Sequence, residues 1–412
     1  MTTRPKHDIV WRGAASHRRI GAATGAAMPD GLATLAVALL WPLLLGGNEV
    51  PSGRPVTWDA PSVSVCLEVR SSLRRGAAYL LPQQDRQGGW TADPCVTAMV
   101  LRALACLPAP ADERCRLAAA AGGRYLATLV GQSRATRQDA TGAEPVRVTA
   151  QVLTALSLVG GADARPAAEQ ARSFLIASQC LSVPETDPQY GGFARGKGMR
   201  CDLVTTHLVS VALSSAECAL LAPGPLARDG AWRQAAARFV ERCLGNAAGP
   251  GASLLSGKAA PRCFRNTLAG SETLGAEPNP RLLGWTGLDA LLLTGTSPDA
   301  PAVLAAWGCL DGGAARASSA AGDASPKGDV LTAMAACLGR HDALASHAGS
   351  HLRQWKTYLA NWLLAHQKGD GRWTAGDMGV APAVDALATA QAMAAMALAL
   401  PTDPLSEGVM RH

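Results

Sequence analysis

Residues 96–107 read VTAMVLRALACL, and their opening returns five more times along the chain. Thr97-Ala98-Met99 is followed by Thr149-Ala150-Gln151, Thr205-Thr206-His207, Thr286-Gly287-Leu288, Thr332-Ala333-Met334 and Thr389-Ala390-Gln391. Each copy opens a run that is apolar nearly all round, the pattern of a buried helix. A more amphipathic segment precedes each: Arg70–Gln84, Cys115–Leu129, Ala167–Gln179, Trp232–Leu244, Ala302–Leu310 and Leu352–Gln367. An outer amphipathic helix and an inner apolar one form a hairpin that cannot cover its apolar face alone. Six such hairpins in sequence can close on themselves, which leaves no uncapped end. The expected fold is therefore all-α, a single (α/α)6 toroid of six helical hairpins over residues 66–402. Residues 1–65 are expected as a leader and linker, and 403–412 as a tail.

The composition fits this. The chain has 412 residues and is 48% hydrophobic but only 4% aromatic. Its core must therefore be built from Ala, Leu and Val, whose small side chains let helices approach closely. The 43 Gly and 26 Pro suit many short connections. Half of the net charge of +6 falls in the first 54 residues, and the remainder is close to neutral. The remainder has no dense basic patch interleaved with aromatics, so nucleic acid is not expected as a partner.

The connections repeat as well. The first reads Arg75-Gly76-Ala77-Ala78-Tyr79-Leu80, then Gln84, then Gly88-Gly89-Trp90. The last has Trp362-Leu363, Gln367 and Gly371-Arg372-Trp373. The third has Phe174-Leu175, Gln179 and, after an insertion, Gly191-Gly192-Phe193. The Gln can bond backbone groups left open where a helix ends, the glycines permit the turn, and the aromatic ring packs across it. This pattern resembles the QW motif of squalene and oxidosqualene cyclases, which the β-subunits of protein prenyltransferases share in weaker form. The resemblance spans about residues 70–400 and implies the toroid fold. Fold alone does not assign activity.

Cyclisation in the resembled family requires a strong acid, a D-x-D-D motif in the hopene-type cyclases, and none is present. It also requires an aromatic lining to stabilise carbocations. Four Tyr, four Phe and ten Trp supply little, since Trp11 and Trp41 fall in the leader and Trp90 and Trp373 in turns. The prenyltransferase likeness implies a zinc site from an Asp-x-Cys and a later His, which here maps onto Asp93, Cys95 and His207, with water as the fourth ligand. The bland alternative makes Asp93 a helix cap and Cys95 a small buried hydrophobe, with His207 filling the register of Met99, Gln151 and Gln391. Cys201-Asp202 beside His207 is a second conceivable cluster. His341, His347 and His351 fall in one segment, the last pair at metal-binding i,i+4 spacing. Asp202, Asp289, Asp329 and Asp385 fall at or near inner-helix starts, where aspartate suits the helix end. With Trp285, these aspartates are candidates for the rim of the central cavity.

Arg4, Lys6, Arg12, Arg18 and Arg19 precede an apolar run from Leu32 to Leu45. This reads as a signal peptide or a membrane tether over residues 31–47, with Met28 as an alternative start. All eleven Cys follow residue 65, and in an exported body some would pair. The sequence thus points to an exported prenyltransferase- or squalene-cyclase-like repeat protein. Its role would be a ligand-binding or scaffold toroid for a small molecule, lipid, glycan or peptide. The alternative is a divergent zinc-dependent prenyltransferase-like or terpene-cyclase-like enzyme.

Overall fold

The computed structural model describes residues 58–400 apart from 92, 109–111, 133–143, 160–163, 221–229, 247–261, 268–278, 321–327 and 380–383. Residues 1–57 of the leader, with the tether over 31–47 and Met28, and the tail lie outside the described residues. Among the described residues, no helix is long and apolar enough to cross a membrane.

Twelve helices make six hairpins. The outer helices are α1 (Val63–Leu80), α3 (Glu113–Gly131), α5 (Arg165–Ala177), α7 (Gly230–Cys243), α9 (Pro301–Ala320) and α11 (Trp355–His366). The inner ones are α2 (Pro94–Ala105), α4 (Pro145–Val159), α6 (Leu203–Leu220), α8 (Pro280–Leu293), α10 (Gly328–Arg340) and α12 (Asp385–Ala399). Helix α2 packs on α4, α4 on α6, α6 on α8, α8 on α10, α10 on α12, and α12 back on α2. The inner ring is therefore closed. Outer helices α3, α5, α7 and α11 pack on the inner helices before and after them, α9 packs on α8, and α1 covers α12, so the first helix seals the last hairpin. A short antiparallel pair, β1 (Leu244–Asn246) with β2 (Arg262–Phe264), flanks α8 and α9. Its Phe264 ring lies where only a glycine, Gly287, lets it reach the α8 backbone.

Three turns join hairpins by one device. Gln84 Nε2 donates to Gly88 O (3.0 Å) and to Ala118 O of α3 (2.8 Å). Gln179 Nε2 donates to Gly191 O and to Trp232 O of α7, both at 2.9 Å. Gln367 Nε2 donates to Gly371 O (2.8 Å) and to Ser72 O of α1 (3.0 Å). Each Gln thus clamps its own turn to the next outer helix, rather than capping the helix it follows. Gly88, Gly191 and Gly371 have positive φ, and a Cβ on Gly191 would sit 2.0 Å from Ala235 O. The backbone N–H of each turn's aromatic residue donates to a threonine hydroxyl on the inner helix: Trp90 to Thr97, Phe193 to Thr206, and Trp373 to Thr389. Thr206, not Thr205, is therefore the equivalent of Thr97. Asp202 takes the Thr205 hydroxyl instead, at 2.8 Å. His207 is consequently one residue out of the register shared by Met99 and Gln391.

Candidate functional site

Each inner helix carries a polar residue within its apolar body: Arg102 on α2, Gln151 on α4, His207 on α6, Asp289 on α8, Arg340 on α10 and Gln391 on α12. None of these six is exposed on the molecular surface. Burying such groups is costly unless they find partners, and five of them, joined by His341, form one cluster and one bridge.

Asp289 is the centre of the cluster and is only 1% exposed. Its Oδ2 accepts from His207 Nε2 at 2.7 Å and from Arg340 Nη1, and its Oδ1 accepts from His341 Nε2 at 2.9 Å. Three elements thus converge on one carboxylate: α6, α8 and the C-terminal end of α10. Burial pushes the carboxyl pKa up, but Arg340 and the two imidazole hydrogen bonds outweigh it and hold it well below the ordinary carboxylate range. The nearby Cys337 thiol is pushed well up, first by burial and then by Asp289. It stays protonated and is a poor nucleophile.

Across the ring, Arg102 Nη1 lies 3.4 Å from both Gln151 Oε1 and Met99 Sδ. Burial lowers its pKa to about 10, and the charge of Arg340 adds to the effect. Helices α2 and α10 are not ring neighbours, since α12 stands between them. Arg102 and Arg340 thus lie on inner helices that flank α12 on either side. Cys106, which follows α2, is accessible to solvent, yet its thiol pKa is raised by surrounding protein.

The other candidate residues have local partners. Asp93 is the N-cap of α2, with Oδ1 accepting from Cys95 N at 2.8 Å. The Cys95 thiol is pushed up to about 12, by burial first and Asp93 second. His207 is committed to Asp289. Among the described residues, no group of three His, Cys, Asp or Glu is arranged to hold a metal ion. Asp202 accepts from Thr205 and Arg195. Asp329 accepts from Val330 N, and Asp385 from Ala375 N with Arg372 at 3.3 Å. Trp285 is not at the rim: it packs edge-on to Trp307 of α9 with centroids 6.1 Å apart, facing the outer layer. Asp289 is not at the rim either, being the tenth residue of α8. His347 follows a short 3-10 turn and pairs with Asp299, while the next helical turn begins at Ser350, so His347 and His351 do not share a helix face. The signal for Arg102 and Asp289 was in the sequence: a lone charge inside an otherwise apolar run.

No protein-family model matches the chain, and no curated protein matches it in sequence. Among solved structures it is similar to the type II terpene cyclase MstE from Scytonema, seen with its product merosterolic acid A. The identity is 15%, the match covers 82% of this chain and 98% of that one, and the TM-score is 0.51. The same cyclase with its substrate geranylgeranyl dihydroxybenzoate gives 14% identity over 82% and 99%, with a TM-score of 0.49. A protein from Actinoplanes gives 18% identity over 80% and 99%, with a TM-score of 0.48. The fold is thus an all-α toroid of the type II terpene cyclase kind.

Proposed function

We propose that this chain is a ligand-binding toroid whose ring interior holds a small molecule or lipid without starting carbocation chemistry. The observation that carries this reading is the state of Asp289. A proton-initiated cyclisation needs a carboxylic acid that is protonated at the working pH, which burial alone can provide by raising the pKa. Asp289, the carboxylate held within the ring, is driven the other way by Arg340, His207 and His341. The inner helices add no aromatic ring to the interior, because Trp285 is the single aromatic residue they contain and it faces Trp307. Without π-faces a developing carbocation has no stabilising wall.

Action outside the cytoplasm completes the proposal. The basic residues ahead of the apolar run 32–45 support it, and so does the disulfide-bonded state of Cys309.

Incubation of the full chain with squalene, and with geranylgeranyl dihydroxybenzoate, in deuterium oxide tests the reading. Both polyenes are expected back unchanged and without deuterium. A deuterated cyclic product from either one would overturn it.

A further inference from the structure

We propose that Cys180 and Cys201 form a thiol–disulfide site, closed by a small disulfide such as oxidised glutathione, that staples the insertion of the third turn. The proposal does not depend on what the ring binds. It takes from the reading above only the oxidising compartment in which the closed state prevails.

The three clamped turns share one position whose amide reaches across the turn. Asp85 N donates to Gly89 O, Lys368 N to Arg372 O, and Cys180 N to Gly192 O. In the two short turns this position is charged and has polar work to do. Asp85 accepts from Gln87 N and Gly89 N, and Lys368 pairs with Asp377. The third turn puts a thiol there instead, and a second cysteine is brought to it from beyond the insertion. Cys201 pairs with Ala194 in an isolated antiparallel bridge, and a Cβ on Gly192 would sit 2.7 Å from Cys201 Cβ. Gly192, which holds the Cys180 amide, is thus also the residue against which Cys201 packs. The two thiols are hydrogen-bonded to each other. They bracket residues 181–200, whose Arg195 reaches Asp202 and Glu144 beside the starts of α6 and α4.

Burial first, and then Cys180, push the Cys201 thiol well up, so it stays protonated, and it is buried whereas Cys180 is part-exposed. Cys180 is therefore the thiol that meets the oxidant. Its thiolate attacks one sulfur of the small disulfide and releases one small thiol. Cys201, on losing its proton, attacks the Cys180 sulfur, expels the second small thiol and completes the bond. Two protein thiols are oxidised, and one small disulfide is reduced to two thiols. Cys243, whose thiol is pushed up to about 12 by burial, is a third thiol near Cys201 and the competing partner.

The test equilibrates the full chain in buffers running from reduced to oxidised glutathione, followed by alkylation, trypsin digestion and mass spectrometry. Cleavage after Arg195, Lys197 and Arg200 separates the two cysteines. Toward the oxidised end, alkylation of Cys180 and Cys201 is expected to be lost together. Peptide 173–195 should appear linked to 201–228, with the bond at Cys201 rather than Cys218. Cys180→Ser and Cys201→Ser should each lose that linked pair. The urea midpoint should rise on oxidation by more in the wild type than in Cys180→Ser, where the Cys309 bond is left to respond. Two thiols that persist at the oxidised end, or linkage of either one to Cys243 or to glutathione alone, would overturn the site. A linked pair without the extra rise in midpoint would overturn the staple.

Discussion

Asp289→Ala is expected to lower the unfolding free energy by about 3–5 kcal/mol, the usual cost of removing one partner from a buried ionic group. The change leaves the Arg340 guanidinium, 13% exposed, with no counter-charge, and it strips His207 and His341 of their acceptor. Asp289→Asn keeps the volume and is expected to lose most of the same stability, which separates charge from packing. The pH dependence has a definite sign. The folded-state pKa of Asp289 is depressed below its unfolded value, so its stabilisation is fully present above the ordinary carboxylate pKa of about 4. The difference between wild type and Asp289→Ala should therefore persist from neutral pH into mild acid. It should shrink only as the pH falls from about 4 through the depressed folded value. Urea unfolding followed by circular dichroism at several pH values measures this, and a difference already lost by pH 6 would contradict the ionised cage.

Trp373→Ala is expected to cost about 3–5 kcal/mol, in the range for deleting a fully buried Trp. Trp373 has no exposed surface, its Nε1 donates to Leu363 O at 2.8 Å, and its backbone N–H is taken by Thr389. It lies at the seam where the sixth hairpin meets the first. A Cβ placed on Gly76 of α1 would come within 3.2 Å of its ring, and the adjacent Gln367 amide grips Ser72. The loss should therefore be regional as well as global. Amide exchange should accelerate first in residues 63–80, because α1 lies over α12 and α11 and its cover depends on this seam. Equal acceleration throughout the ring would mean that closure is not held here.

The repeat was legible because the Gln, Gly and aromatic residues of a turn sit within a few positions of each other and each has one physical job. It stayed legible through the 180–190 insertion, which returns to the same backbone pairing between Cys180 and Gly191. The register of the third copy was harder. Thr205 and Thr206 are adjacent, and Asp202 decides which one is free to hold the Phe193 amide. The start of α1 was also obscured, since Val63 and Leu67 are exposed and break the amphipathic pattern that begins to read clearly at Arg70. The cage around Asp289 was out of reach for a different reason. His207, Asp289, Arg340 and His341 belong to three successive hairpins, and only the packing of α6, α8 and α10 on one another brings them together. Local reading sees an aspartate near a helix start and assigns a cap. The structure gives that work to Asn279, the N-cap of α8.

The most direct test of a binding toroid that does not donate a proton is titration of the Asp289 carboxyl carbon by NMR. The full chain would carry ¹³C at aspartate side chains, with Asp289→Asn used to assign the resonance. The account predicts an ionised carboxylate from neutral pH down past the ordinary carboxylate range, with protonation only in strong acid. A carboxyl that is protonated at neutral pH would contradict it and return Asp289 to the role of an acid for cyclisation.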